Sequence, residues 1–167
     1  MSVVILYGTE TGTSELVADA IADVLAADVL AADVRATDVL VTAHDPAIYD
    51  MSEFAVADLD PADFLVVVCS TSGSGDLPMG AEPFADELEA LAPDLSGLRF
   101  AVFGLGDMVY GETFNLGGEL MAEKLVARGA TQVGEHARHD NSSGIRPSVM
   151  AAQWARNLIP VIDPANV

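Results

Sequence analysis

Lysine is almost missing from this 167-residue chain. Lys124 is the only one, and all basic residues together number seven against 26 acidic ones, a formal net charge of −19. A nucleic-acid partner is excluded on that ground, because phosphate contacts need a basic surface. Cysteine is equally scarce. The lone Cys69 rules out an internal disulfide and fits a reducing cytoplasm, where it reads as a small buried apolar residue at a strand end. Long hydrophobic runs are lacking too. None approaches membrane-spanning length and no signal peptide is expected ahead of the first apolar run, so the expected location is cytoplasmic, with no membrane. The three histidines, His44, His136 and His139, are scattered and there is no cysteine pair, so neither a metal site nor a Ser-His-Asp arrangement is expected.

What is abundant is apolar: 51% of residues, mostly Ala and Val. That suffices for one domain, residues 1–167, with a sizeable core. The acids are spread along the whole chain. Two readings fit them, and they can coexist: adaptation to a salt-filled cytoplasm, or an acidic docking face for a basic protein.

The chain is organised around Tyr7-Gly8-Thr9-Glu10-Thr11-Gly12-Thr13. An apolar run, Val3 to Leu6, precedes it and reads as a buried parallel strand. Helical spacing of apolar residues, with Val17, Ala20, Ile21 and Val24 inward, follows from Thr13 to the high twenties. Backbone N–H groups at a helix start make a concave donor site, to which the helix dipole adds partial positive charge. Thr9, Thr11 and Thr13 alternate, so their hydroxyls can converge on that point and hold a phosphate with neutral donors alone. A plain Thr-capped turn is the competing reading. No Lys follows, as a nucleotide-triphosphate loop requires, and the glycine spacing is not that of a dinucleotide fingerprint.

Further on, Leu25-Ala26-Ala27-Asp28-Val29 is followed at once by Leu30-Ala31-Ala32-Asp33-Val34. A five-residue period matches neither helix nor strand, so it reads as a local duplication lengthening the helix end or the next loop. A second strand is expected over Ala36 to His44, broken by Asp45-Pro46, and a short helical piece over Met51 to Leu59. Phe64 to Cys69 is a third strand, running into the polar loop Ser70-Thr71-Ser72-Gly73-Ser74-Gly75-Asp76-Leu77-Pro78. Pro83 suits the first turn of the next helix. Leu98 to Phe103 is a fourth strand, ending in Gly104-Leu105-Gly106-Asp107-Met108-Val109-Tyr110-Gly111. A helix carrying Phe114, Gly117, Met121 and Leu125 inward follows, with Lys124 and Arg128 in its last turn and Gly129 as its cap. A fifth strand is expected from Gln132 to Ala137, then a loop from His139 to Gly144, and a last helix opened by Pro147 that buries Met150, Trp154 and Leu158.

Strands alternating with helices give an α/β fold: a doubly wound, five-stranded parallel sheet in the order 2-1-3-4-5 with helices on both faces. Ligands of such sheets bind beyond the strand carboxyl ends at the switch point. The three glycine-rich loops follow strands one, three and four, so they converge there.

Those loops carry a resemblance. Thr9-Glu10-Thr11-Gly12-Thr13, Ser70-Thr71-Ser72-Gly73-Ser74-Gly75-Asp76, and Gly104-Leu105-Gly106-Asp107 with Tyr110 and Phe114 resemble the three FMN loops of flavodoxins, especially small MioC-type flavodoxins and the FMN domains of diflavin reductases. The resemblance covers nearly the whole chain, including the Gly129-Ala130-Thr131 turn and Trp154. It implies that the first loop holds the FMN phosphate and the other two sandwich the flavin ring. Tyr110 is implied as the stacking residue, a surface loop tyrosine being the alternative. Gly73 is implied to turn its peptide over on reduction and present a carbonyl to flavin N5, through a positive φ; a simple turn glycine is the alternative. Ser72 departs from the pattern, since relatives often have an aromatic residue there; Leu77, Pro78 or Met79 would have to cover that flavin face. Asp140 corresponds loosely to an acid that follows the last strand in diflavin FMN domains, or caps its loop. Phe114 is either a flavin contact or core.

The function so implied is a low-potential, one-electron carrier between redox proteins, more an electron-transfer protein than a stand-alone enzyme, and a monomer. Its donor would be a reductase or a ferredoxin-type protein, and its acceptor is unnamed by the sequence. Low potential also follows from charge, since a second electron would enter a protein already at −19. A flavin-dependent NAD(P)H or quinone reductase, and a flavin-free binding or regulatory domain, are the alternatives.

The charge generates a direct test. At about 1 M salt the Debye length shrinks to roughly 3 Å and self-repulsion is screened. Thermal melts across a salt series should show stability rising steeply from dilute buffer. A flat series would leave only the docking-face reading of the acids.

Overall fold

A computed structural model describes residues 1–32 and 44–162. The elements in chain order are β1 (Val3–Gly8), α1 (Thr13–Ala32), β2 (Ala47–Asp50), β3 (Phe64–Cys69), α2 (Glu82–Leu91), β4 (Arg99–Gly106), α3 (Leu116–Val126), β5 (Thr131–Gln132), β6 (Ala137–Asp140) and α4 (Pro147–Ile162). All strand pairs are parallel, in the order β2-β1-β3-β4-β5, with β6 also on β4. The sheet is the expected doubly wound one, with a sixth strand added.

The central strands are unbroken apolar runs because both faces of the sheet are covered. Every residue of β3 is buried. Alternate strand residues go to opposite layers. Ile5, Phe64, Val66, Val68 and Phe103 pack with Val17, Ile21, Trp154 and Leu158 of α1 and α4. Leu6, Leu65, Val67, Phe100 and Val102 pack with Phe84, Leu88, Met121 and Leu125 of α2 and α3. Below the sheet Arg99 donates from Nη1 to the Val161 carbonyl at 2.9 Å and from Nη2 to the Ile162 carbonyl at 2.8 Å, placing a cation at the end of α4.

Three local expectations are corrected, and a fourth lies almost wholly outside the described residues. Of the strand expected over Ala36 to His44, residues 36–43 lie outside the described residues, and β2 is Ala47–Asp50, beyond Asp45-Pro46. Pro46 does not break this strand; it stands ahead of it, where a missing N–H costs no ladder bond. The helix expected over Met51 to Leu59 shrinks to a 3-10 turn, Val56–Asp58, because Met51 extends the edge and donates its N–H to the Tyr7 carbonyl at 2.9 Å. The fifth strand is two pieces, β5 and β6. Gly134, with φ +73°, turns the chain off the edge between them, and Trp154 Nε1 holds the excursion by donating to the Glu135 carbonyl at 2.7 Å. Phe114 and Arg128 fall outside α3. The duplicated stretch does lengthen α1, which runs to Ala32.

The feature that places the later loops is the seat of α3. A Cβ on Gly117 would overlap the Ser70 carbonyl oxygen, and the Gly117 N–H donates to Thr71 Oγ1 at 3.0 Å. Only a residue without a side chain lets the helix lie against the end of β3 at this range. Gly117→Ala should therefore lower the unfolding free energy by about 1–3 kcal/mol in a denaturant titration. An unchanged midpoint would mean that the helix can back away at no cost.

Candidate functional site

The first loop is a turn closed on itself. Thr9 Oγ1 accepts the Gly12 N–H at 2.8 Å, and Gly12 sits at φ +89°. The Thr9 carbonyl accepts the Gly80 N–H at 3.2 Å, which ties this loop to the one after β3. Glu10 is exposed and points no charge into the turn's own bonds. Thr11 Oγ1 and Thr13 Oγ1 lie 3.4 Å apart at the start of α1. Ser14, fully buried beside them, has a hydroxyl without a partner among the described residues.

The loop after β3 turns its own polar groups inward. Ser72 N–H donates to Asp76 O at 3.0 Å and Gly75 N–H to Ser72 O at 2.9 Å. Ser72 Oγ meets Ser74 Oγ at 3.2 Å, and Ser74 Oγ donates to Asp76 Oδ2 at 2.9 Å. Thr71 spends its hydroxyl on α3, as above. The left-handed glycine here is Gly75, φ +87°, and the Gly73 carbonyl is approached by the Thr113 hydroxyl at 3.5 Å. Leu77 packs on the core and Pro78 is buried, so of these three side chains Met79, 73% exposed, is the one left free.

After β4 the chain makes a 3-10 segment, Met108–Thr113, started by Asp107, whose carboxylate accepts the Val109 N–H at 2.9 Å. Leu105 and Gly106 are strand, not loop, and they end β4 at the cleft. The Tyr110 ring lies over Gly73: its Cε1 is 3.4 Å from where a Cβ would stand there. The ring is 55% exposed, with Met108 and Val109 exposed beside it. Phe114 is half-buried against Gly106 and does not line the cleft. Asp140 ends β6 as a loop cap. It accepts from Met108 N–H at 3.0 Å and from Ser142 N–H at 2.9 Å, and the Met108 bond above all holds its carboxyl below the ordinary value.

These elements enclose a cleft of about 210 Å³. Thr11 and Thr13 form one wall, Ser70 and Thr71 another, Leu105 and Gly106 the floor; His139, Asn141 and Pro147 close the far side. Among the described residues no carboxylate lines it. A larger hollow of about 730 Å³ along β2 is lined by acids and tyrosines, among them Asp50, Glu53 and Tyr7, and suits no anion. Burial and then the Asp50 carboxylate raise the Tyr7 phenol above its usual value. Among the described residues no cluster of His, Cys, Asp or Glu could hold a metal ion. The Cys69 thiol is buried and pushed up to about 12, so it is inert. Two side chains escaped the sequence reading, Asn115 and His139, both buried beside the cleft. Asn directly before a helical pattern was the one available signal, since Asn tolerates the left-handed conformation found there.

Comparison with known proteins agrees with this geometry. The chain is 31% identical over 163 residues to human NADPH–cytochrome P-450 reductase, covering 96% of this chain and 22% of that protein. It therefore spans about a quarter or less of the length of the first curated relatives it matches. An uncharacterised protein of Pseudomonas aeruginosa is 35% identical over 156 residues, covering 92% of this chain and 93% of its own. A cysteine-to-alanine variant of a flavodoxin from the same organism superposes with a TM-score of 0.78 at 29% identity, over 97% of this chain and 99% of that one. The flavodoxin family profile matches residues 5–151, and with the sheet order and the three converging loops it follows that the chain belongs to the flavodoxin family.

Proposed function

We propose that this protein is an FMN-binding electron carrier that passes single electrons at low potential between redox proteins. FMN is the cofactor that family membership implies. One observation carries the reading: a chain with 26 acidic residues brings the turn after β1, the start of the loop after β3 and the end of β4 together around a cleft with no carboxylate among its described lining. Such a cleft can accept a phosphate without like-charge repulsion.

The residues present fit the cofactor. The hydroxyls of Thr11 and Thr13, with the free N–H groups at the start of α1, would hold the phosphate, and the unpartnered Ser14 hydroxyl lies beside them. Thr9 and Gly12 shape that turn, and Glu10 lies on its outer side. Ser70, Thr71, Leu105 and Gly106 would line the path from phosphate to ring. Tyr110 would cover the ring and exclude water from one face, with Ser72, Gly73 and Gly75 on the loop it touches. Asp107 and Asp140 would act indirectly, by fixing the Tyr110 segment. Bound FMN supplies the redox chemistry.

The partner surface would be the cleft rim. Met79 at 73% exposure on the loop after β3, and Val109 at 80% with Met108 on the loop after β4, supply exposed apolar side chains, and Asp76, Asp107 and Glu112 belong to the same loops. A redox partner with a basic face is the complement. Monomeric state, a cytoplasmic location, supported by the lone reduced Cys69, and adaptation to high salt, supported by the −19 charge, complete the reading.

The purified protein should be yellow with a flavin spectrum, and NADPH should not be oxidised by it alone. Fluorescence titration of apoprotein should show riboflavin binding at least tenfold more weakly than FMN, and Thr11→Val should cost FMN about tenfold or more, since a hydroxyl bond to a charged group is worth roughly 1.5–3 kcal/mol. Equal affinities for the two ligands would sink the phosphate assignment. Tyr110→Ala should weaken FMN binding and raise the potential of the fully reduced state by admitting solvent. Unchanged affinity and potential would make Tyr110 a surface residue.

A further inference from the structure

The segment that carries Tyr110 touches the rest of the protein lightly: the Tyr110 ring lies over Gly73, and Thr113 rests against Gly75 with its hydroxyl 3.5 Å from the Gly73 carbonyl. No residue of Met108–Thr113 is buried. Its backbone bonds are local, Tyr110 N–H to Asp107 O and Phe114 N–H to Gly111 O, each at 3.1 Å. A loop with no buried side chain drifts unless its ends are pinned. One end is held by β4 and by Asp140. At the other end stands Asn115, 0% exposed, with φ +57°.

Asn115 precedes α3 in the position where Asn commonly caps a helix, yet its side chain makes no cap bond. Thr71 does that work instead, accepting the Gly117 N–H. The Asn115 side chain turns into a notch in the sheet. A Cβ on Gly104 would lie 2.6 Å from Asn115 Oδ1, and one on Gly106 would lie 2.8 Å from the Asn115 backbone nitrogen. Two glycines on the same face of β4 thus clear the space. Within the notch Asn115 Nδ2 donates to the His139 carbonyl of β6 at 3.1 Å. The His139 ring, 2% exposed, has Nε2 at 2.6 Å from the Ile145 carbonyl; a carbonyl only accepts, so Nε2 carries the proton. Two hydrogen bonds therefore run from the head of α3 through β6 to the loop before α4. Asp140, the next residue, holds Met108.

From this we propose that Asn115 is the positioning residue for Tyr110: it keeps the ring over the cofactor site by hooking the far end of the Tyr110 segment onto β6. The proposal rests on the FMN reading above. It is separable from a purely structural role, because a hook that acts through Tyr110 has nothing to position once that ring is gone.

A double-mutant cycle on the full chain makes the test. Asn115→Asp keeps size and tolerates the left-handed backbone, but it sets an acceptor against the His139 carbonyl. In the wild-type background it should raise the FMN Kd about tenfold, equivalent to about 1.4 kcal/mol. In a Tyr110→Ala background the same change should cost less than about twofold. Asn115→Gly, which keeps the φ and deletes the hook, should follow the same pattern. Equal fold-losses in both backgrounds, or no loss in either, overturn the proposal. So does failure of both variants to fold, which would make Asn115 a determinant of the fold alone. A wild type that binds no FMN removes the underlying reading, and the proposal with it; a wild type that binds while the cycle is additive removes the proposal alone.

Discussion

The contact between Gly117 and the carbonyl of Ser70 is the constraint on which the site depends. It brings the start of α3 against the carboxyl end of β3, so the loops after β3 and β4 meet instead of diverging. Thr71 then caps α3 from the neighbouring loop, and the Tyr110 ring comes to lie over Gly73. Any side chain at residue 117 would push these loops apart. A hydrogen bond and a close packing contact in one place do what neither would do alone, because the bond sets orientation and the missing Cβ sets distance.

Charge works in the opposite sense to packing. Acids are spread over this surface, and yet the described walls of the cleft are hydroxyl, amide, imidazole and aliphatic. Where carboxylates do approach it, they are occupied. Asp107 and Asp140 each accept backbone N–H groups, and Asp76 accepts the Ser74 hydroxyl. Those bonds anchor loops and also satisfy the negative charges nearest the place an anionic group would enter.

The three central strands were legible because a strand covered on both faces must read as a continuous apolar run, and Phe64 to Cys69 does. The edges were less so. Ala47-Ile48-Tyr49-Asp50 is short, half-buried and ends in an acid, so it carries little strand signal of its own. The split of β5 from β6 hangs on Gly134 and on a Trp154 bond that joins residues 19 apart. At the site, turn chemistry announced itself locally through Gly12, Gly75 and the hydroxyls. Asn115 and His139 did not, because their role exists only once Gly104 and Gly106 have brought separate segments together.

The single lysine offers a chemical handle. Lys124 pairs with Glu89 across the gap between α2 and α3, and it sits seven residues beyond Gly117, roughly 10 Å farther along the helix axis. Among the side chains of this sequence an amine-directed label therefore has one covalent address, set back from the cleft. A dye or a surface tether attached there would leave the start of α3, and the Tyr110 segment that precedes it, unlabelled.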